Sequence, residues 1–103
     1  MFAEDERRRY PRYGFQADVE IEFEGKTFRS FITDISIAGS FVVAANPFWM
    51  GAKFRMKLLV GEPFSVDCVV RRVAMNRGMG VSFESLSKAA EERLDRLIAT
   101  LAV

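Results

Sequence analysis

From Gly14 onward one signal repeats: apolar and polar residues alternate with a period of two, and each alternating run ends at a residue that turns the chain. Alternation of that period suits a pleated strand with one face buried and does not suit a helix, whose apolar stripe repeats every three to four residues. Ala17, Val19, Ile21 and Phe23 share one face while Asp18, Glu20 and Glu22 share the other. Glu24-Gly25-Lys26 reads as a tight turn. In the next run Phe28, Ser30 and Ile32 alternate with Arg29, Phe31 and Thr33, so both faces carry apolar groups. That pattern is expected where a strand runs through the middle of a closed or highly twisted sheet. Phe41 to Ala44 forms a third run, which Asn46-Pro47 ends because proline has no ladder donor.

The second half of the chain behaves in the same way. Phe54, Met56 and Leu58 lie opposite Lys53, Arg55 and Lys57 in a run from Lys53 to Val60, and Gly61-Glu62-Pro63 turns it. A long strand from Phe64 to Met75 follows, then a turn at Asn76-Arg77-Gly78, then Met79, Val81 and Phe83 on one face. Six short strands with regular turns and no intervening helix predict an all-β, six-stranded antiparallel barrel, since closure removes the unpaired edges of a small open sheet. The period becomes helical only at the end. Ser87 is a capping residue, and Ala90, Leu94, Leu97, Ile98 and Leu101 form a single apolar stripe, with Glu92 and Arg96 paired outside it. A helix over 87–101 packed on the barrel wall is expected.

Residues 1–13 show no such order. They hold few large apolar groups, Pro11 disfavours helix at Tyr10, and Arg7, Arg8, Arg9 and Arg12 follow Glu4, Asp5 and Glu6. The division expected is an arginine-rich arm over 1–13 and one domain over 14–103. A cluster of this kind suits an anion site better than a generic basic face. Phe48-Trp49-Met50-Gly51 is a loop of large apolar side chains, expected to cap one end of the barrel or to offer a patch to a partner.

Composition removes several classes of chemistry. The chain has no histidine and a single cysteine, Cys68, so the commonest general base, the commonest metal ligand, an internal disulfide and a cysteine-built zinc site are all missing. No pair of carboxylates stands out, which argues against an enzyme and against a metal cofactor. Cys68 lies in the apolar run Val66 to Val70 and reads as a small buried hydrophobe. No secretory signal and no membrane-length apolar run is visible, and a cytoplasmic location is expected.

One stretch interrupts the alternation with small and polar groups: Asp34-Ile35-Ser36-Ile37-Ala38-Gly39. Asp34 brings carboxylate acceptors, Ser36 a hydroxyl, and Gly39 a backbone that can bend sharply or let a partner approach. The plain alternative is that Asp34 and Ser36 close an Asx or Ser turn into the third strand. Read as D-x-S-x-x-G, and preceded by the R-x-x-x-R of Arg8 to Arg12, the stretch resembles the signature of the PilZ family. The closing strands around Arg71-Arg72 and Gly80-Val81-Ser82-Phe83 and the final helix resemble that family too, so the likeness covers nearly the whole chain.

The resemblance implies a PilZ-type barrel and a bacterial receptor for the second messenger cyclic di-GMP, with no metal and no other cofactor. It implies that Arg8, Arg12, Asp34, Ser36 and Gly39 form the nucleotide site. The residue types agree. A guanidinium can grip phosphate oxygens or the O6/N7 edge of guanine in bidentate fashion, Asp34 can accept from guanine N–H groups, Ser36 can bond ligand oxygens, and Gly39 leaves room. Arg7, directly before the motif, can stack on a guanine or meet a further phosphate, which leads to an expectation of two ligands per chain, as in some family members. Ligand would pin the arm across the barrel and change a surface for a separate partner protein. The first competing reading is a PilZ-like module that works by protein contacts and binds no nucleotide, although such members typically lose one of the two motifs. A small barrel for single-stranded nucleic acid is another, and the near-neutral charge with one basic cluster argues against it.

Overall fold

The computed structural model describes residues 10–102. It contains β1 (Tyr13–Phe23), β2 (Lys26–Ile35), β3 (Gly39–Val43), β4 (Lys53–Leu58), β5 (Phe64–Ala74), β6 (Gly78–Glu84) and α1 (Lys88–Leu101). The strands close into a barrel in the order β1-β2-β3-β6-β5-β4, every pair antiparallel. The expected six-stranded barrel with a C-terminal helix is the fold found, and each turn in the sequence joins neighbouring strands.

The alternating residues fill the interior. Val19, Ile21, Ile32, Val42, Met56, Leu58, Val66, Val70, Met79 and Val81 form one buried cluster. Glu24 and Gly25 both take positive φ (50° and 78°), the backbone of a two-residue hairpin turn, which Gly25 adopts without strain. The barrel's two ends are stoppered differently. At the end carrying the β1–β2, β3–β4 and β5–β6 connections, Phe48 stacks on Phe23 (centroids 3.9 Å) and meets Phe54 edge-on at 5.4 Å. Its neighbours Trp49 and Met50 stay exposed (60% and 61%), so the loop is a plug at one residue and a surface at the next two.

The other end is covered by α1. Ser87 Oγ accepts from Ala90 N at 3.1 Å, and Ala90 and Leu94 enter the barrel core. Arg93 anchors the helix: its guanidinium donates to the carbonyls of Val60 and Glu62 and lies 4.9 Å from the Phe64 ring centroid. Among the described residues the helix's ion pair therefore runs from Arg93 Nη1 to Glu62 Oε1 (3.7 Å) and not between Glu92 and Arg96 as the spacing suggests. Glu92 and Arg96 are both exposed, where a pair gains little against the entropy of two long side chains, whereas Arg93 sits beside the β4–β5 turn, with carbonyls and an aromatic face in reach.

Cys68 points into the core at 1% exposure, and burial, with Asp67 and Glu84 nearby, pushes its thiol well above the ordinary range. The sign follows directly. An unfolded chain ionises this thiol at about pH 8.5 and the folded one does not, so the group favours the unfolded state as pH rises beyond that point. We expect the stability difference between Cys68→Val and the parent to be flat below pH 8 and to grow in favour of the variant by about 1.4 kcal/mol per pH unit above ~8.5. Urea melts at pH 7, 9 and 10 measure it; a constant difference would mean that the thiolate is accommodated in the folded state.

Candidate ligand site

The interruption at 34–39 is the corner between β2 and β3, and its polar groups are spent first on backbone. Ser36 N donates to Gly39 O at 2.8 Å, while Ser36 Oγ accepts from Ala38 N (3.0 Å) and Gly39 N (3.1 Å). Ser36 is buried at 3% exposure, and two amides that a bend would leave unpaired are thereby satisfied. Asp34 Oδ1 accepts from Phe41 N at 2.9 Å, and Ser40 Oγ donates to Asp34 O at 2.6 Å. The turn-closing alternative for Asp34 and Ser36 is thus realised in full.

Gly39 differs from expectation. It is the first residue of β3, paired with Ser82, and the bend lies at Ile37-Ala38. Its φ is not positive. What forbids a side chain there is β6: a Cβ on Gly39 would collide with the carbonyl oxygen of Val81 and lie 3.2 Å from Ser82 Cα. The close approach is by the protein's own strand.

One oxygen of Asp34 is turned outward. Arg12 Nη1 donates to Oδ2 at 3.2 Å, with both side chains 26% exposed. Arg12 immediately precedes β1, so the pair ties the end of the N-terminal segment to the corner. Arg12, Asp34, Ser36 and Gly39 are therefore together, as the sequence suggests. Arg7 and Arg8 lie outside the described residues.

Beside this pair an open cleft of about 460 Å³ runs over the outer wall, lined by Tyr10, Arg12, Ser36, Ala38, Gly39, Arg71, Arg72, Gly80, Val81 and Ser82. The far wall was not singled out as a site in the sequence. Arg71 and Arg72 are adjacent, and in a regular strand they would point to opposite faces. A β-bulge between Val70 and Arg72 puts both outside: Val70 opposes Val81, Arg72 opposes Gly80, and Arg71 is the extra residue. Two charged residues between the inward Val70 and Val73 are the sequence trace of that bulge. Arg71 Nε donates to Ser82 Oγ at 2.9 Å, and the Arg72 stem covers Gly80.

These features define a small closed barrel with three arginines along a cleft on its wall, and comparison with known proteins gives its family. The PilZ domain matches residues 6–100, and the chain belongs to the PilZ family. No curated protein matches it. Among solved structures, the PilZ domain of YcgR from Escherichia coli, determined with c-di-GMP, is similar at TM-score 0.79 and 20% identity, covering 93% of this chain and 92% of that one. The Bacillus subtilis inhibitor of motility MotI/DgrA is similar at TM-score 0.74 and 26% identity over 88% of this chain, which spans 48% of that longer protein. The K. pneumonia MrkH–c-di-GMP complex gives TM-score 0.78 at 18% identity, with 92% of this chain and 51% of that one covered.

The corner has a measurable stability. Ser36→Ala strands two amides in a buried bend, and Gly39→Ala forces β3 off β6; we expect each to cost about 1–3 kcal/mol in urea unfolding of the protein alone. A Gly39→Ala protein as stable as the parent would show that β6 yields without penalty.

Proposed function

We propose that this protein is a receptor for cyclic di-GMP, a signalling module and not an enzyme, which reads guanine at the Arg12–Asp34 pair. The observation that carries this is the pair itself. Side by side at the lip of the cleft, a guanidinium and a carboxylate present donors next to acceptors. Guanine presents the complement, acceptors at O6 and N7 and donors at N1 and N2. Each Asp34 oxygen already accepts one hydrogen bond, and a carboxylate has room for about four, so the pair holds its geometry and still has capacity for a base. The YcgR domain and MrkH structures were determined with c-di-GMP, which supports this ligand.

The N-terminal segment over 1–13 is the second half of the site in this reading, an arm joined to a domain over 14–103. Arg8, with Arg12, completes a cationic fork for phosphate, and Arg7 adds a flat cation that can stack on a further guanine. Because Arg12 is held by Asp34, part of the entropy of ordering that segment is already spent next to its end. Ligand binding then rearranges the arm over the cleft, and a separate partner protein reads the altered surface.

Calorimetry with cyclic di-GMP tests the reading. Saturable binding, at least tenfold tighter than cyclic di-AMP, is expected, since adenine offers a donor where guanine has O6. Arg8→Ala and Arg12→Ala should each weaken binding about tenfold or more, while the melting temperature moves little, for Arg12 because a partly exposed ion pair contributes only about 0–1 kcal/mol. Equal affinity for the two cyclic dinucleotides would overturn the assignment. A protein that binds neither, yet is folded, would favour the protein-contact module instead.

A further inference from the structure

We infer that Arg71 and Arg72 on the β5 bulge form an anion clamp of their own, which takes a phosphate group at the end of the cleft away from the Arg12–Asp34 pair. Charge balance separates the two ends. Arg12 is matched by Asp34, so among the described residues that end carries no net charge and suits the edge of a base. The bulge end carries two guanidinium groups. The neighbouring carboxylates of β5 and β6 are engaged by other cations, Asp67 by Arg55 at 3.2 Å and Glu84 by Lys53 at 3.8 Å. Positive charge with no carboxylate partner among the described residues, in a concave site, attracts an anion.

The clamp is also built to hold its shape. The bulge is what brings two consecutive side chains to the same outer face, and a regular β5 would have turned one of them inward. Arg71 is oriented through its Nε–H bond to Ser82 Oγ, and its terminal nitrogens, which bond no other described residue, are placed for bidentate contact. Arg72 lies along Gly80, where a Cβ would come within 3.7 Å of its Nε. Arg71, held in this way, loses less freedom when an anion binds.

Position limits the ligand class. β3 and β6 separate β2 from β5 in the barrel order, so the backbone anchors of the two ends are three strand spacings, roughly 14 Å, apart along the wall. Arginine side chains shorten that span, and a ligand bridging both ends must carry a base and a phosphate well separated. A cyclic dinucleotide does so. The identity of the ligand rests on the function proposed above; the clamp does not.

Two measurements on the full chain separate these ideas. In calorimetry with cyclic di-GMP, the double variant R71A/R72A should bind about 30-fold or more weaker than the parent, two charge-assisted contacts being lost, with an unchanged melting temperature because both side chains are exposed. In a separate NMR titration of the parent with inorganic pyrophosphate, the Nε–H signals of Arg71 and Arg72 should shift and saturate, and that of Arg55 should not. If the parent binds cyclic di-GMP and a folded double variant binds within twofold of it, the clamp is refuted and the proposed function stands. If the parent binds no cyclic di-GMP but pyrophosphate saturates the two arginines, the function falls and the clamp survives. Absence of both responses refutes both, and should the double variant not fold, the pyrophosphate titration decides for the clamp by itself.

Discussion

Contact between the backbones of β3 and β6 is the constraint on which the rest of this barrel depends. The two strands are not joined by a hairpin, yet they lie so close that a Cβ on Gly39 would strike the carbonyl of Val81, and one on Gly78 would strike the carbonyl of Val42 and the ring of Phe41. Glycine at both ends of the pair therefore sets how tightly the two halves of the sheet meet. That closeness also shapes the outside. Gly39, Gly80 and Ser82 face outward with little or no side chain, so the wall over β3 and β6 is a trough floored by backbone and rimmed by longer residues from β5 and from the start of β1.

The corner before β3 shows how one set of residues serves structure and recognition together. Ser36 is consumed by the bend: the amides of Ala38 and Gly39 take its acceptor sites, and its hydroxyl proton can turn to a ligand only by leaving the carbonyl of Gly39. Asp34 divides its oxygens, one to the Phe41 amide and one to Arg12. The inner bond fixes the carboxylate, and the fixed carboxylate fixes the arginine. Removing the charge from Asp34 would consequently loosen the strand junction as well as the cation, and the two effects have to be separated by measuring stability beside affinity.

Local charge matters more here than the total. A formal net charge of +1 gives no hint of a cationic surface. The cleft is cationic because ion pairing is unequal around the barrel: Glu20 lies near Arg29 and Lys57, Asp67 near Arg55, and Glu84 near Lys53, while Arg71 and Arg72 face a hydroxyl and a glycine. Exposed pairs of this kind contribute little to stability, but by occupying the carboxylates they decide where positive potential remains.

Period-two alternation, turn residues and the shift to a helical stripe were enough to determine the strands, an antiparallel barrel and the final helix, because each is a local consequence of which face must be buried; the pairing of β3 with β6 and of β1 with β4 was not local and came from the fold. The sequence also marked Asp34, Ser36 and Gly39 as exceptional, since polar and small residues inside an apolar run need a reason. It did not reveal which reason applied. Whether Gly39 served a bend, a ligand or a neighbouring strand depended on where β6 came to lie, some forty residues further along the chain. In the same way, two adjacent arginines in a strand look like one inward and one outward residue until the partner strand fixes the register. Only the pairing of Val70 with Val81 and Arg72 with Gly80 made Arg71 an extra residue and brought both charges to one face. Local sequence dictates what a segment buries; the register between distant segments, set by packing across the closed barrel, decides what it exposes.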